Sequence, residues 1–139
     1  MTGNRRVPWK QALCYTIERA IATYNWLEEQ NREHQLRLSR KIDAVESGVR
    51  LRILCDVFSV YVTTLVSGGG NSSFSLKRNA PKLFKKVESL EVARKCKMNR
   101  HNRSAHEAES YGHFIYATDI LESDIKNILY NLQLAIHMY

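Results

Sequence analysis

Proline and glycine are scarce, with 2 and 6 among 139 residues. Short strands joined by frequent tight turns need more of both, so an all-β sandwich or barrel is excluded. Cysteine is also sparse. Cys14, Cys55 and Cys96 are odd in number and far apart, and they form no CxxC pair. That speaks against a disulfide framework or a structural zinc site and suits a reducing cytosol. All three are expected to be small buried hydrophobes. No long apolar run exists either. The longest, Val57 to Val66, is about half of the ~20 residues that a membrane-spanning helix needs. The N-terminus begins basic, as a signal peptide does. It then carries Lys10, Glu18 and Arg19 where an uncharged run would be required, so it reads as structure. A cytoplasmic chain without membrane contact is the expectation.

What the chain does have is one domain's worth of ordinary globular sequence. Its 139 residues and 16.1 kDa fit a single domain over 1–139. The hydrophobic fraction of 44% excludes disorder throughout. There is no internal repeat, and SGGGNSS is the one low-complexity tract.

Apolar periodicity predicts helices. Leu13, Ile17, Ala20, Ile21, Tyr24 and Leu27 share one face of a helix from about Pro8 to Gln35. A second helix spans about 40–66, with Ile42, Val45, Val49, Ile53, Val57, Val60 and Leu65 as its face. Asp43 and Glu46 have capping-box spacing and allow a restart there. Gly48 weakens the helix by about 1 kcal/mol. The triple glycine at 68–70 marks a flexible loop. Pro81 opens a helix over about 80–89, and another covers about 90–109. The last runs from about 116 to 137 along Ile120, Leu121, Ile125, Ile128, Leu129, Leu132 and Ile136, with Thr118 or Ser123 as a cap. The predicted fold is all-α, an antiparallel bundle of four to five helices.

Charge is concentrated. The formal net charge is +7, from 21 basic and 14 acidic residues. Between Lys77 and Arg103 ten cations face only Glu88 and Glu91, a net of +8, while the remaining 11 cations and 12 acids leave −1. A polyanion is the natural partner of such a face, through phosphate contacts and counterion release. RNA or an acidic protein would dock there, and Lys85, Lys86, Lys95 and Lys97 are candidate contacts.

The basic segment runs into Asn99-Arg100-His101-Asn102-Arg103-Ser104-Ala105-His106-Glu107. Cleaving RNA without a metal requires three things. The 2′-hydroxyl must lose a proton, the 5′-oxygen must gain one, and the phosphorane charge must be stabilised. Histidine, with an ordinary pKa near ~6.5, exchanges protons at neutral pH. Arginine forks onto two phosphate oxygens. Spacing constrains the pair, because six helical residues put Arg100 and His106 about 240° apart. They meet only if a helix begins near Arg100, or across two copies of the chain. Asn102 and Arg103 share a helix face with His106, at i, i+4 and i, i+3, and are candidate substrate contacts. Read without a ligand, His106 is a surface histidine paired with Glu107 or Asn102.

The string resembles the signature of HEPN domains: an Arg, a polar residue after it, and a His four to six residues further on. Arg100, His101 and His106 occupy those positions, and Ala105-His106 is similar to the ending found in abortive-infection members. The resemblance implies a homodimeric, metal-independent endoribonuclease of a toxin or phage-defence system, without cofactor. Arg100, His106 and His101 would be its catalytic residues, at the dimer interface, leaving a 2′,3′-cyclic phosphate and a 5′-hydroxyl. It also implies an antitoxin or defence-system partner. One departure stands out: Ala108 occupies the place of the modifiable Tyr of antitoxin-controlled members, and the nearest Tyr is Tyr111. The alternative is a non-catalytic helical module that binds RNA or an acidic partner through 77–103.

Other candidates are weaker. No HExxH spacing and no GxxxxGK[ST] occurs. His34 falls in a charged stretch and is expected to be solvated. His113 and His137 are expected to pack or lie at the surface. Trp9, Trp26 and the Tyr residues of the first helix, Tyr15 and Tyr24, suit a core or an interface.

Overall fold

The computed structural model describes residues 8–67, 75–105 and 115–138, with side chains excluded at 102–105. The glycine-rich tract at 68–74 lies outside the described residues. Seven helices and no strand occur among the described residues: α1 (Pro8–Ser39), α2 (Val45–Val66), α3 (Leu76–Asn79), α4 (Pro81–Glu88), α5 (Glu91–Ala105), α6 (Ala117–Leu121) and α7 (Ile125–Met138). The all-α class is as expected. The larger number of helices arises because short α3 and α6 stand apart from their neighbours.

α1 buries the predicted face, Leu13, Ile17, Ala20, Ile21, Tyr24 and Leu27, with Thr23 beside them. It packs along α2 and α7, and α2 packs along α5. Phe58, on α2, is fully buried, its ring centroid 6.3 Å from that of Tyr24. One apolar cluster draws on every helix from α1 to α7.

The α1–α2 turn contains neither Gly nor Pro. Instead Lys41 takes φ 57°, and the N–H groups of Lys41 and Ile42 return to the carbonyls of Leu38 and Arg37. This is a Schellman closure with Lys41 in the left-handed position where glycine is usual. α2 then starts at Val45, close to the restart allowed by Asp43, whose Oδ1 accepts the N–H of Val45 at 3.0 Å. Gly48 does not break the helix.

The expected face of α2 is corrected. Ser47, Leu51, Cys55, Phe58, Ser59, Val62, Leu65 and Val66 are buried, while Ile42, Val45, Val49, Ile53 and Val60 are exposed. α2 is apolar around most of its circumference, so periodicity alone offered two faces. The side carrying Phe58 and Leu51 went inward. The predicted last helix is also corrected. It breaks at Glu122–Asp124, where the Ser123 hydroxyl donates to the carbonyl of Ile120 and accepts the N–H of Ile125. The predicted core residues Ile120, Ile125, Leu129, Leu132 and Ile136 are buried on either side of the break.

Candidate nucleic-acid interface

α4 begins with Pro81 in its first turn, where a missing N–H is harmless. Phe84 and Val87 point into the core, which leaves Lys82, Lys85 and Lys86 exposed on the opposite side. Before it, α3 is capped by Ser75, whose hydroxyl accepts the N–H of Arg78 at 3.1 Å. Lys77 is exposed, with its ammonium 5.8 Å from the Phe84 ring centroid. In α5, Val92, Ala93, Cys96 and Asn99 face the core. Lys97, Arg100 and His101 are exposed. So is Arg94, which pairs with Glu91 one turn earlier. The hydrogen bond from Arg94 holds the Glu91 carboxyl below its usual range.

Lys95 departs from this face. It is half-buried, and its ammonium binds Asp119 Oδ1, on α6, at 2.9 Å. Partial burial pushes the Asp119 carboxyl upward, but bonds from the Tyr116 N–H and from Lys95 outweigh that and hold it below its ordinary value. Lys95 thus serves as a brace between α5 and α6.

Sequence reasoning missed Asn99. It is fully buried beside Arg100, and its side-chain amide reaches three partners. Nδ2 donates to Asp56 Oδ1 at 3.0 Å and to Ser59 Oγ at 3.1 Å, both on α2. Oδ1 accepts the N–H of Ile115 at 3.1 Å. The carbonyl of Ile115 accepts from Arg52 at 2.8 Å. Asn99, near the end of α5, and Ile115, ahead of α6, are therefore both anchored to α2. An Asn in a basic string carries no signal for this, because its partners are 16 to 43 residues away.

Arg100 lies well inside α5, which begins at Glu91. This corrects the first of the two routes that could join Arg100 to His106, a helix beginning near Arg100. Asn102 and Arg103 continue α5, and their side chains lie outside the described residues. His106, Ala108, Tyr111 and His113 lie outside the described residues altogether.

The other histidines and the thiols resolve differently. His34 is not freely solvated. It is half-buried, its Nδ1 is 2.6 Å from Ser47 Oγ, and its ring occupies the space beside Gly48. The Ser47 Oγ also lies 3.1 Å from the carbonyl of Ala44. His137 is exposed, 4.0 Å from the half-buried Cys14 thiol. Cys55 and Cys96 are buried as expected, and Cys14 is the exception. Burial pushes the Cys96 thiol up to about 12. Among the described residues no group of three His, Cys, Asp or Glu side chains converges as a metal site, and no helix is long and apolar enough to cross a membrane. The chain matches no family model, no curated protein and no solved structure.

Proposed function

We propose that the chain is a metal-independent endoribonuclease acting as a homodimer, with Arg100 and His106 as its working pair. The observation that carries this reading is the run of exposed cations from Lys82, Lys85 and Lys86 through Lys97 into Arg100, with exposed His101 beside it. That face delivers a phosphodiester strand to the string that resembles the HEPN signature. Lys77 extends it at one end.

The chemistry needs no ion. A base takes the proton of the 2′-hydroxyl, and the oxygen attacks the adjacent phosphorus. The bond from phosphorus to the 5′-oxygen breaks, and that oxygen takes up a proton. His106 exchanges one of these protons, a contribution of typically ~10²–10⁴-fold. Arg100 binds the phosphorane oxygens, where positioned charge contributes about 10²–10³-fold. His101 stands beside Arg100 as the polar adjunct. The products are a 2′,3′-cyclic phosphate and a 5′-hydroxyl. In this reading Arg100 of one copy works with His106 of a second. The role in the cell would be that of a toxin or defence nuclease in the cytoplasm, held in check by a partner.

The test is cleavage of RNA in EDTA by the purified chain. Arg100→Ala and His106→Ala should each abolish it with the helical spectrum unchanged. Mixing the two inactive variants should restore part of the activity, because a mixed dimer retains one intact site. Cleavage that persists in both variants overturns the assignment. Salt-sensitive RNA binding without any turnover would select the non-catalytic alternative.

A further inference from the structure

A cavity of about 260 Å³ opens between the second half of α1, the first half of α2 and the chain entering α6. It falls below the roughly 300 Å³ at which sites for drug-sized ligands begin. Asn31, His34 and Gln35 line it from α1, Arg52 from α2, and Tyr116 and Thr118 from the third side. Among the described residues around it none is acidic. Its walls are held in place. His34 Nδ1 meets Ser47 Oγ at 2.6 Å. Arg52 donates to the Ile115 carbonyl at 2.8 Å, and its guanidinium stands 5.8 Å from the Tyr116 ring centroid, within cation–π range. The Tyr116 N–H donates to Asp119 Oδ2 at 2.8 Å. Tyr116 is nonetheless 59% exposed. A positioned aromatic ring with a guanidinium beside it is therefore left largely uncovered on the wall of a small polar cavity.

We infer that this cavity takes one unpaired base of the RNA strand, and that the base is adenine. Proteins recognise unpaired RNA bases by stacking them on aromatic rings and guanidinium planes and by hydrogen-bonding their edges. Tyr116 and Arg52 supply the first. Asn31 and Gln35, one turn apart on α1, supply the second, because a carboxamide offers a donor and an acceptor together and so matches N6 and N7 of adenine. The volume suits a single ring system and excludes a paired helix. Position connects the cavity to the basic face. Ile115, next to Tyr116, donates its N–H to Asn99, next to Arg100, while its carbonyl accepts from Arg52. Tyr116 and Arg100 are thus separated by two peptide steps of ~3.8 Å and one hydrogen-bonded side chain, on the order of 15 Å in all. A strand lying on the cations of α4 and α5 reaches the cavity within a few nucleotides of Arg100. A base held there would select which phosphodiester is presented to that guanidinium. In taking RNA as the ligand, the inference rests on the ribonuclease reading, to which it adds the nucleotide that is read.

The measurement is fluorescence anisotropy with short labelled oligouridylates carrying one central adenosine, one central guanosine or neither. All carry 2′-methoxy groups, so that no attacking hydroxyl is present and no strand is cut. The wild type should bind the adenosine strand about tenfold more tightly than the other two, the effect of one base that is both stacked and read at its edge. Tyr116→Ala should erase that preference, and Tyr116→Phe, which keeps the ring, should retain it. Joint replacement of Asn31→Ala and Gln35→Ala should bring the adenosine strand down to the guanosine strand. Lys85→Gln, on the exposed side of α4, should weaken all three strands alike. Equal affinity of the wild type for the three strands, or a preference for guanosine, overturns the inference. So does an adenosine preference that survives Tyr116→Ala. An adenosine preference of the expected kind in a chain that cuts no unmodified RNA keeps the base site and removes only the ribonuclease reading. Cutting without any preference for adenosine does the reverse.

Discussion

The side-chain oxygen of Asn99 accepts the backbone N–H of Ile115, sixteen residues further along the chain, at 3.1 Å. Both groups are buried, and the same amide donates to Asp56 and Ser59. Asn99→Ala would leave the Ile115 N–H without its acceptor and open a small void. A loss of about 1–3 kcal/mol is expected, read as a lower urea midpoint. Asn99→Asp keeps the acceptor but sets a carboxylate against Asp56. Its deficit should shrink as the pH is lowered toward 4, because protonation removes the like-charge contact. An Asn99→Ala protein as stable as wild type would show that the amide is not an anchor.

Lys41 holds a left-handed backbone conformation, φ 57°, at the end of α1. Non-glycine residues are strained there by about 1 kcal/mol. Lys41→Gly should therefore stabilise the chain by roughly that amount, less the greater freedom glycine has when unfolded. Thermal unfolding of the two proteins checks the sign.

Gly48 sits inside α2, where alanine is favoured by about 1 kcal/mol. A Cβ there would come 3.2 Å from Cε1 of His34, a ring held by its bond to Ser47. Gly48→Ala should therefore gain little in the wild type and most of that 1 kcal/mol in a His34→Ala background. A double-mutant cycle in urea measures the difference, and equal gains in both backgrounds would remove the steric account.

Burial, together with the nearby Cys55, raises the Cys96 thiol to about 12, with a partly opposing bond from Ser59. The unfolded thiol ionises near 9.0. The folded state therefore holds the proton that the unfolded state gives up. Stability from this group is complete below pH 9 and declines as pH rises toward 12, by up to about 1.4 kcal/mol per unit. Cys96→Ala should unfold with a shallower alkaline slope than the wild type. At pH 8 the native Cys96 should also resist thiol reagents and react only through opening of the fold.

The lysines of the basic segment should separate into two kinds. Replacing Lys85 and Lys86 with Gln removes two phosphate contacts and should lower the salt slope of RNA binding by about 1.4. Stability should be unchanged. Lys95→Gln removes the brace on Asp119. It should lower stability and leave the slope nearly unaltered. Filter binding over a salt series, with urea melts alongside, distinguishes them. Equal slopes for all three replacements would mean that Lys95 reaches the ligand too.

The helices most legible in the chain were those whose polar and apolar sides differ. α1 and α4 carry one apolar stripe each and bury it, and Pro81 marks the start of α4. α2 was legible as a helix but not in orientation, since Val49, Ile53 and Val60 repeat as regularly as Leu51, Phe58 and Val62. The turn before it was obscure because Lys41 does the work expected of a glycine. The break before α7 was obscure because Ser123 and Asp124 sit within a continuous apolar pattern.

Composition and periodicity, which are properties of neighbours along the chain, decided the all-α class, the helix-forming stretches and the concentration of cations between 77 and 103. Tertiary structure alone decided which side of α2 is covered, that Lys95 turns from the basic face to Asp119, and that Asn99 ties α5 to Ile115. Those outcomes depend on groups distant in sequence that become neighbours only when helices pack. A side chain's partners are set by where the other helices lie, and local spacing carries no record of that.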